Sequence, residues 1–315
     1  MPMADNKCTI VMYHYVRDLR YTRYPNIKGL DVRDFKRQMQ FLKQNYNFVR
    51  ANDLIAAIYE SKPLPENAVW LTFDDGYIDH YDVVFPLLNE MGVEGAFFPP
   101  IKAITNHEVL DVNKIHFILS VVADIQTLIS DLYRLMDQFR AEYNLETNEY
   151  YFLKLAKPYR FDVKEVIFVK RLLQVELPEA LRKIITDILF KKYVADDENA
   201  FSRELYMNED QIKCMIRNGM YFGSHGYDHY WLDSLTPDKQ AVEIDKSLQF
   251  LSTIGVDVNN WVMNYPYGAY NDSLIEIIRA RGCKLAVSTR VAVAELSVEN
   301  AFTLPRLDTN DIPKN

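Results

Sequence analysis

Short apolar runs and amphipathic runs take turns along both ends of this chain, and that alternation restricts its fold more than any other feature. Residues 8–15, 68–73, 95–98, 221–224, 261–265, 284–289 and 302–307 are apolar and read as seven strands. Between them, residues 32–46, 52–61, 81–91, 209–217, 237–254 and 273–281 read as helices. Phe35, Met39 and Leu42 mark the helical spacing in the first of these. Asn52 or Asp53 is expected near the N-cap of the second, and Gly92, Gly219, Gly255 and Gly282 follow helix ends. Strands that alternate with helices pair in parallel, so the class is α/β. Seven of them favour a closed or nearly closed barrel over a small open sheet.

The middle of the chain breaks this rhythm. Residues 114–143 place Ile115, Ile118, Leu119, Val122, Ile125, Leu128, Ile129, Leu132 and Leu135 at helical spacing, with no strand pattern among them. Residues 163–173 and 178–194 are similar. The expected organisation is one αβ domain, built from 1–101 and 206–315, and a helical insertion over 102–205 that leaves it through one βα loop. That insertion could act as a cap over a pocket or pack between protomers.

Composition excludes several classes. With 49% hydrophobic and 25% charged residues the chain is an ordinary globular one. A net charge of −8 without a basic stripe argues against nucleic acid as a partner. The three cysteines, Cys8, Cys214 and Cys283, are widely spaced, which argues against a disulfide framework or a cysteine-built zinc site. No apolar run is long enough for a membrane span, and the first residues lack a basic-then-apolar leader, so the cytoplasm is the expected compartment. Aromatics are abundant at 13%, and most are expected in the core.

Three motifs stand at the ends of expected strands. Thr72-Phe73-Asp74-Asp75-Gly76 ends one strand with two adjacent acids, and Gly76 lets the chain bend so that both carboxylates can line one pocket. On its own this is more simply a turn leading into a helix. Ser224-His225-Gly226-Tyr227-Asp228-His229 follows another strand, and its i, i+4 histidines would share one face of a helical turn. With one carboxylate they would make a His₂Asp metal set with a position left for water. The plainer reading is a pair of surface histidines. Asn264-Tyr265-Pro266-Tyr267-Gly268 is a turn that could offer a backbone N–H to an oxyanion, or an ordinary Pro-Gly turn.

Taken together, and in this order, the motifs TFDDG at 72–76, SHGYDH at 224–229 and YPYG at 265–268 resemble those of the polysaccharide deacetylases, the NodB-homology or carbohydrate esterase family 4-like proteins. YHYV at 13–16 and LPRL at 304–307 are similar to family features as well. The resemblance spans about residues 1–100 and 206–315 and leaves the middle unmatched. It implies a distorted (β/α)7-type barrel and metal-dependent removal of an N- or O-acyl group from a sugar. It further implies Asp74 as general base and Asp75, His225 and His229 as metal ligands, with the backbone N–H of Tyr267 at the oxyanion. The metal would be divalent, zinc first, with nickel, cobalt, iron and manganese as alternatives.

Two family features are absent. No arginine precedes the YPYG turn, so Arg306 is the candidate for orienting Asp74. No histidine follows His229, so His14, at the end of the first strand, is the candidate general acid. His80, His107 and His116 are expected to be structural or surface residues. Tyr227, Tyr230, Trp231, Tyr265 and Tyr267 are expected along the sugar. The leading expectation is a deacetylase acting on an acylated amino sugar, nucleotide-sugar or glycan precursor. A non-catalytic carbohydrate-binding relative and an amidohydrolase acting on a non-sugar amide are the alternatives.

Overall fold

The computed structural model describes residues 6–158 and 162–314. The chain divides into two compact units. One comprises Met1–Asp18, Gly29–Glu108 and Ser202–Asn315, the other Leu19–Lys28 and Val109–Phe201.

The first unit is the αβ part. Its parallel strands are β1 (Lys7–Tyr13), β2 (Ala68–Asp74), β3 (Gly95–Phe98), β4 (Tyr221–Phe222), β5 (Trp261–Asn264), β6 (Cys283–Val287) and β7 (Leu307–Asp308). β1 pairs with β2 from Cys8↔Ala68 to Tyr13↔Phe73, β2 with β3, and β3 with β4. A single bridge, Ser224↔Met263, leads on to β5, which pairs with β6. Another bridge, Val287↔Leu304, leads towards β7, which pairs with β1 at Val11↔Leu307. The fold is thus a distorted parallel α/β arrangement, and no continuous closed ladder forms among the described residues. The last expected strand, 302–307, shrinks to a bridge and a two-residue strand, because Pro305 between them has no N–H to donate.

Alternation along β2 decides what faces the site. Asp74 and Thr72 point to one side, Phe73 and Leu71 to the other. On the side of Phe73, four in-register rings cross four strands. Tyr13 stacks on Phe73 at 5.0 Å, Phe73 on Phe97 at 4.9 Å, and Phe97 on Phe222 at 5.4 Å between centroids. Much of the aromatic excess is therefore core.

The helices fall close to their expected places, with one different cap. Helix Ala51–Tyr59 is capped at Arg50, and Asp53 is its third residue, accepting from the Arg50 N–H at 2.8 Å. An acid three residues into a helix reaches back to the cap, so its position alone does not mark the start. Residues 81–91 open with a wide π-turn, His80–Val84, before helix Phe85–Met91 ends at Gly92 with φ +67°.

The second unit is helical. The expected run 114–143 is two helices, Asp111–Val121 and Ile125–Tyr143. Asp124 separates them by capping the second, accepting from the N–H groups of Gln126 and Thr127. Lys114 is fully buried and paired with Asp187 and Glu198. The sequence division at 102–205 left Leu19–Lys28 with the barrel, since that segment carries no pattern of its own. Here it joins the helical unit, with Tyr24 against Phe117 at 4.8 Å and Phe201 at 5.8 Å. No described helix is long and apolar enough to cross a membrane.

His80 is fully buried among Phe73, Tyr77 and Phe97, and its Nε2–H donates to the His14 carbonyl at 2.9 Å. Burial pushes its pKa from 6.5 down to about 4. Below pH 6.5 the unfolded imidazole takes a proton that the folded one refuses, so this group makes stability fall as pH drops towards 4. Glu94, raised by burial to about 7, works in the opposite direction, so the test is a difference. His80→Gln keeps an N–H donor and should remove up to about 3 kcal/mol of the acid-induced loss between those pH values. Urea denaturation of both proteins across that range checks it, and parallel curves would contradict it.

Candidate metal centre and active site

The two acids of the first motif lie at the end of β2, where the chain leaves extended geometry. Asp75 has φ +71° and Gly76 +67°. A left-handed aspartate is strained, and its conformation is held by the Asp75 N–H donating to the Phe98 carbonyl at 3.1 Å. The bend thus begins at Asp75 itself, one residue before the expected glycine. Gly76 is still required, since a Cβ there would meet the Pro99 Cβ at 2.7 Å. The turn sends the neighbouring carboxylates to different partners.

Asp75 faces the histidines. Its Oδ1 lies 3.5 Å from His225 Nε2 and 3.3 Å from His229 Nε2, and its Oδ2 accepts from the Tyr77 hydroxyl at 2.5 Å. Burial pushes the Asp75 carboxyl up, but the two imidazoles facing it outweigh burial and hold the group well below the usual carboxylate range. The expected helical turn between the histidines is absent. They are brought together by a loop in which Gly226 and His229 are left-handed, with ring centroids 4.8 Å apart. The buried Glu243, on helix Pro237–Thr253, holds that loop by accepting from the N–H groups of Tyr227 at 3.1 Å and Asp228 at 2.9 Å. Lys102 adds a 2.8 Å bond to the Asp228 carboxylate.

Three observations test whether a cation fits. One ligand atom each from Asp75, His225 and His229 lies within 4.8 Å of the others. Asp75 Oδ1 is buried without a hydrogen-bond partner, an expensive state for a carboxylate oxygen. His225 Nδ1 donates to the Asn264 carbonyl at 2.6 Å, which fixes the tautomer and turns the Nε2 lone pair towards Asp75. Two imidazoles and a carboxylate suit zinc and its first-row neighbours.

Asp74 faces Arg306. Nη1 donates to Oδ1 at 2.8 Å and Nη2 to Oδ2 at 2.9 Å, a bidentate pair with both residues buried. The remaining guanidinium hydrogens go to Thr72 Oγ1, Asn264 Oδ1 and the Ser288 carbonyl. Burial pushes the Asp74 carboxyl up, but the Arg306 charge, then His14, bring it below its ordinary value. His14 Nε2 is 3.8 Å from Asp74 Oδ2, and its side chain is 41% exposed. Tyr267 sits in the Pro266–Gly268 turn with φ +58°. Its ring packs against His229 at 4.7 Å and stacks on Trp231 at 4.4 Å, with 6° between planes.

All seven residues singled out, His14, Asp74, Asp75, His225, His229, Tyr267 and Arg306, thus belong to one cluster. Tyr265, expected along a sugar, is instead fully buried and donates to the Phe302 carbonyl, so it is core. Three participants were missed. Tyr77 stands two residues beyond the acid pair, the only signal it gave. Asn264 opens the third motif but carries no signal there of its part in holding Arg306 and His225, and Glu243 gives none, being one acid among several on a helix.

Fold and site together are a parallel α/β scaffold that carries an Asp–His–His set beside a second, guanidinium-held carboxylate. The sequence pattern of the polysaccharide deacetylase family matches residues 61–142 and 187–286, more than half the chain, which therefore belongs to that family. Bacillus subtilis YxkH, named as a polysaccharide deacetylase, is 19% identical over 91% of this chain and 66% of its own length. The poly-β-1,6-N-acetyl-D-glucosamine N-deacetylase of Escherichia coli K12 is 36% identical over 28% of this chain but only 13% of its own. The chain thus spans less than two thirds of either curated relative. Among solved structures, the Streptococcus pyogenes deacetylase PplD, in complex with acetate, has a TM-score of 0.59 at 18% identity, covering 96% of this chain and 92% of its own. IcaB from Ammonifex degensii has 0.55 at 20%, covering 98% and 94%.

Arg306 has no exposed surface, and removing it would leave a buried carboxylate unpaired. Arg306→Met should destabilise the fold by about 3–5 kcal/mol in chemical denaturation. A loss below about 1 kcal/mol would show that Asp74 does not depend on it.

Proposed function

We propose that the chain is a metal-dependent deacetylase that hydrolyses the acetamide of an N-acetylated amino sugar within a glycan. The observation that carries this is the division of labour between adjacent acids, Asp75 towards two imidazoles and Asp74 towards a guanidinium. A divalent cation held by Asp75, His225 and His229 would supply Lewis acidity, polarising the acyl oxygen and acidifying water.

The remaining work falls to this chain's own residues. Asp74, kept ionised and fixed in orientation by Arg306, takes a proton from the attacking water. The backbone N–H of Tyr267 donates to the oxygen that gains charge as water adds. His14, beside Asp74 and part-exposed, gives a proton to the sugar nitrogen as its bond to the acyl carbon breaks. The products are acetate and a free amine. The stacked Trp231 and Tyr267 rings offer an apolar face to a pyranose ring beside His229. Membership of the family, and the kinship with an enzyme named for poly-N-acetylglucosamine, support a glycan over a free small amide.

The test is acetate release from N-acetylglucosamine oligomers. Chelation should abolish release and added zinc restore it. Asp74→Asn should lower turnover by about 10²–10⁴-fold while the protein still takes up metal stoichiometrically. Undiminished turnover by Asp74→Asn would contradict the proposed role.

A further inference from the structure

The proposed chemistry uses Asp75 Oδ1 and leaves unexplained what determines that this oxygen, and not both, faces the histidines. The answer lies in a pair of buried tyrosines. Tyr77 has no exposed surface, and its hydroxyl donates to Asp75 Oδ2 at 2.5 Å. The left-handed turn at Asp75 and Gly76 folds Tyr77 back onto the aspartate two residues before it. Its ring stacks on Tyr15 at 4.0 Å and 22°, and on Tyr206 at 6.1 Å and 13°. The hydroxyl therefore cannot swing away without disturbing the core.

Tyr15 is itself buried, stacked on the Tyr77 ring. Tyr15 is held from behind by Arg17, whose guanidinium lies 4.8 Å over its ring and pairs with Asp79 at 2.8 Å. The end of the YHYV segment is in this way connected to the metal set.

We propose that Tyr77, backed by Tyr15, is a positioning residue that fixes Asp75 as a one-oxygen ligand. This rests on the metal-dependent reading above. A neutral donor on the second oxygen restrains the carboxylate without cancelling its charge, so a cation would still meet a full negative charge.

Competition for zinc between the protein and a chromophoric chelator tests this without reference to turnover. Tyr77→Phe keeps the stacked ring and removes only the hydroxyl. It should weaken zinc binding about 10–100-fold. The visible spectrum of the cobalt-loaded protein should change in Tyr77→Phe, which a purely structural role would not produce. Zinc affinity of Tyr77→Phe within twofold of the wild type, with zinc bound by both, would overturn this inference alone. No zinc uptake by the wild type would overturn the metal reading and this inference with it. If Tyr77→Phe fails to fold, a crystal structure of the zinc-loaded wild type decides, and Asp75 bound through both oxygens would overturn the inference.

Discussion

Two ionised groups, Asp74 and Arg306, are buried side by side at the ends of the parallel strands, and neither could remain there alone. The carboxylate takes both terminal nitrogens of the guanidinium, whose other hydrogens are satisfied by Thr72, Asn264 and Ser288. A charge pair this far from water is tolerated only when every lone pair and proton finds a partner. Meeting that condition draws together β2, the end of β5, the residue after β6 and the approach to β7. Because Asn264 also accepts the His225 Nδ1–H through its carbonyl, the same condition sets the orientation of one histidine of the metal set.

Strain and packing complete the arrangement. Asp75, His229 and Tyr267 are all non-glycine residues in the left-handed region, and all three belong to the site. Such conformations persist only where surrounding structure over-determines them. Here the surroundings are identifiable: the Phe98 carbonyl for Asp75, Glu243 for the loop ending at His229, and the stacked Trp231 ring for Tyr267.

Much of this was legible in the sequence because it depends on local pattern. Alternating runs gave the parallel α/β class, and the strand-end motifs, through their combined resemblance to the family, pointed to Asp74, Asp75, His225 and His229. Arg306 could be singled out because the resemblance implies an arginine that is missing before the YPYG turn, and LPRL at 304–307 is similar to a family feature. What escaped depends on contacts between distant residues. Glu243 works through backbone N–H groups of a loop, which no side-chain pattern records. Tyr265 looked like Tyr267 in sequence, yet one points into the core and the other lines the site. The segment Leu19–Lys28 joins the helical unit through ring contacts made by Tyr24, invisible in a stretch without periodicity.

X-ray absorption at the metal edge of zinc-loaded protein addresses the central claim most directly, because it reads the ligand set itself. Two imidazole nitrogens and oxygen donors are expected, with one imidazole contribution lost in His225→Ala. A sulfur ligand, or a spectrum unchanged by His225→Ala, would contradict an Asp75, His225 and His229 centre.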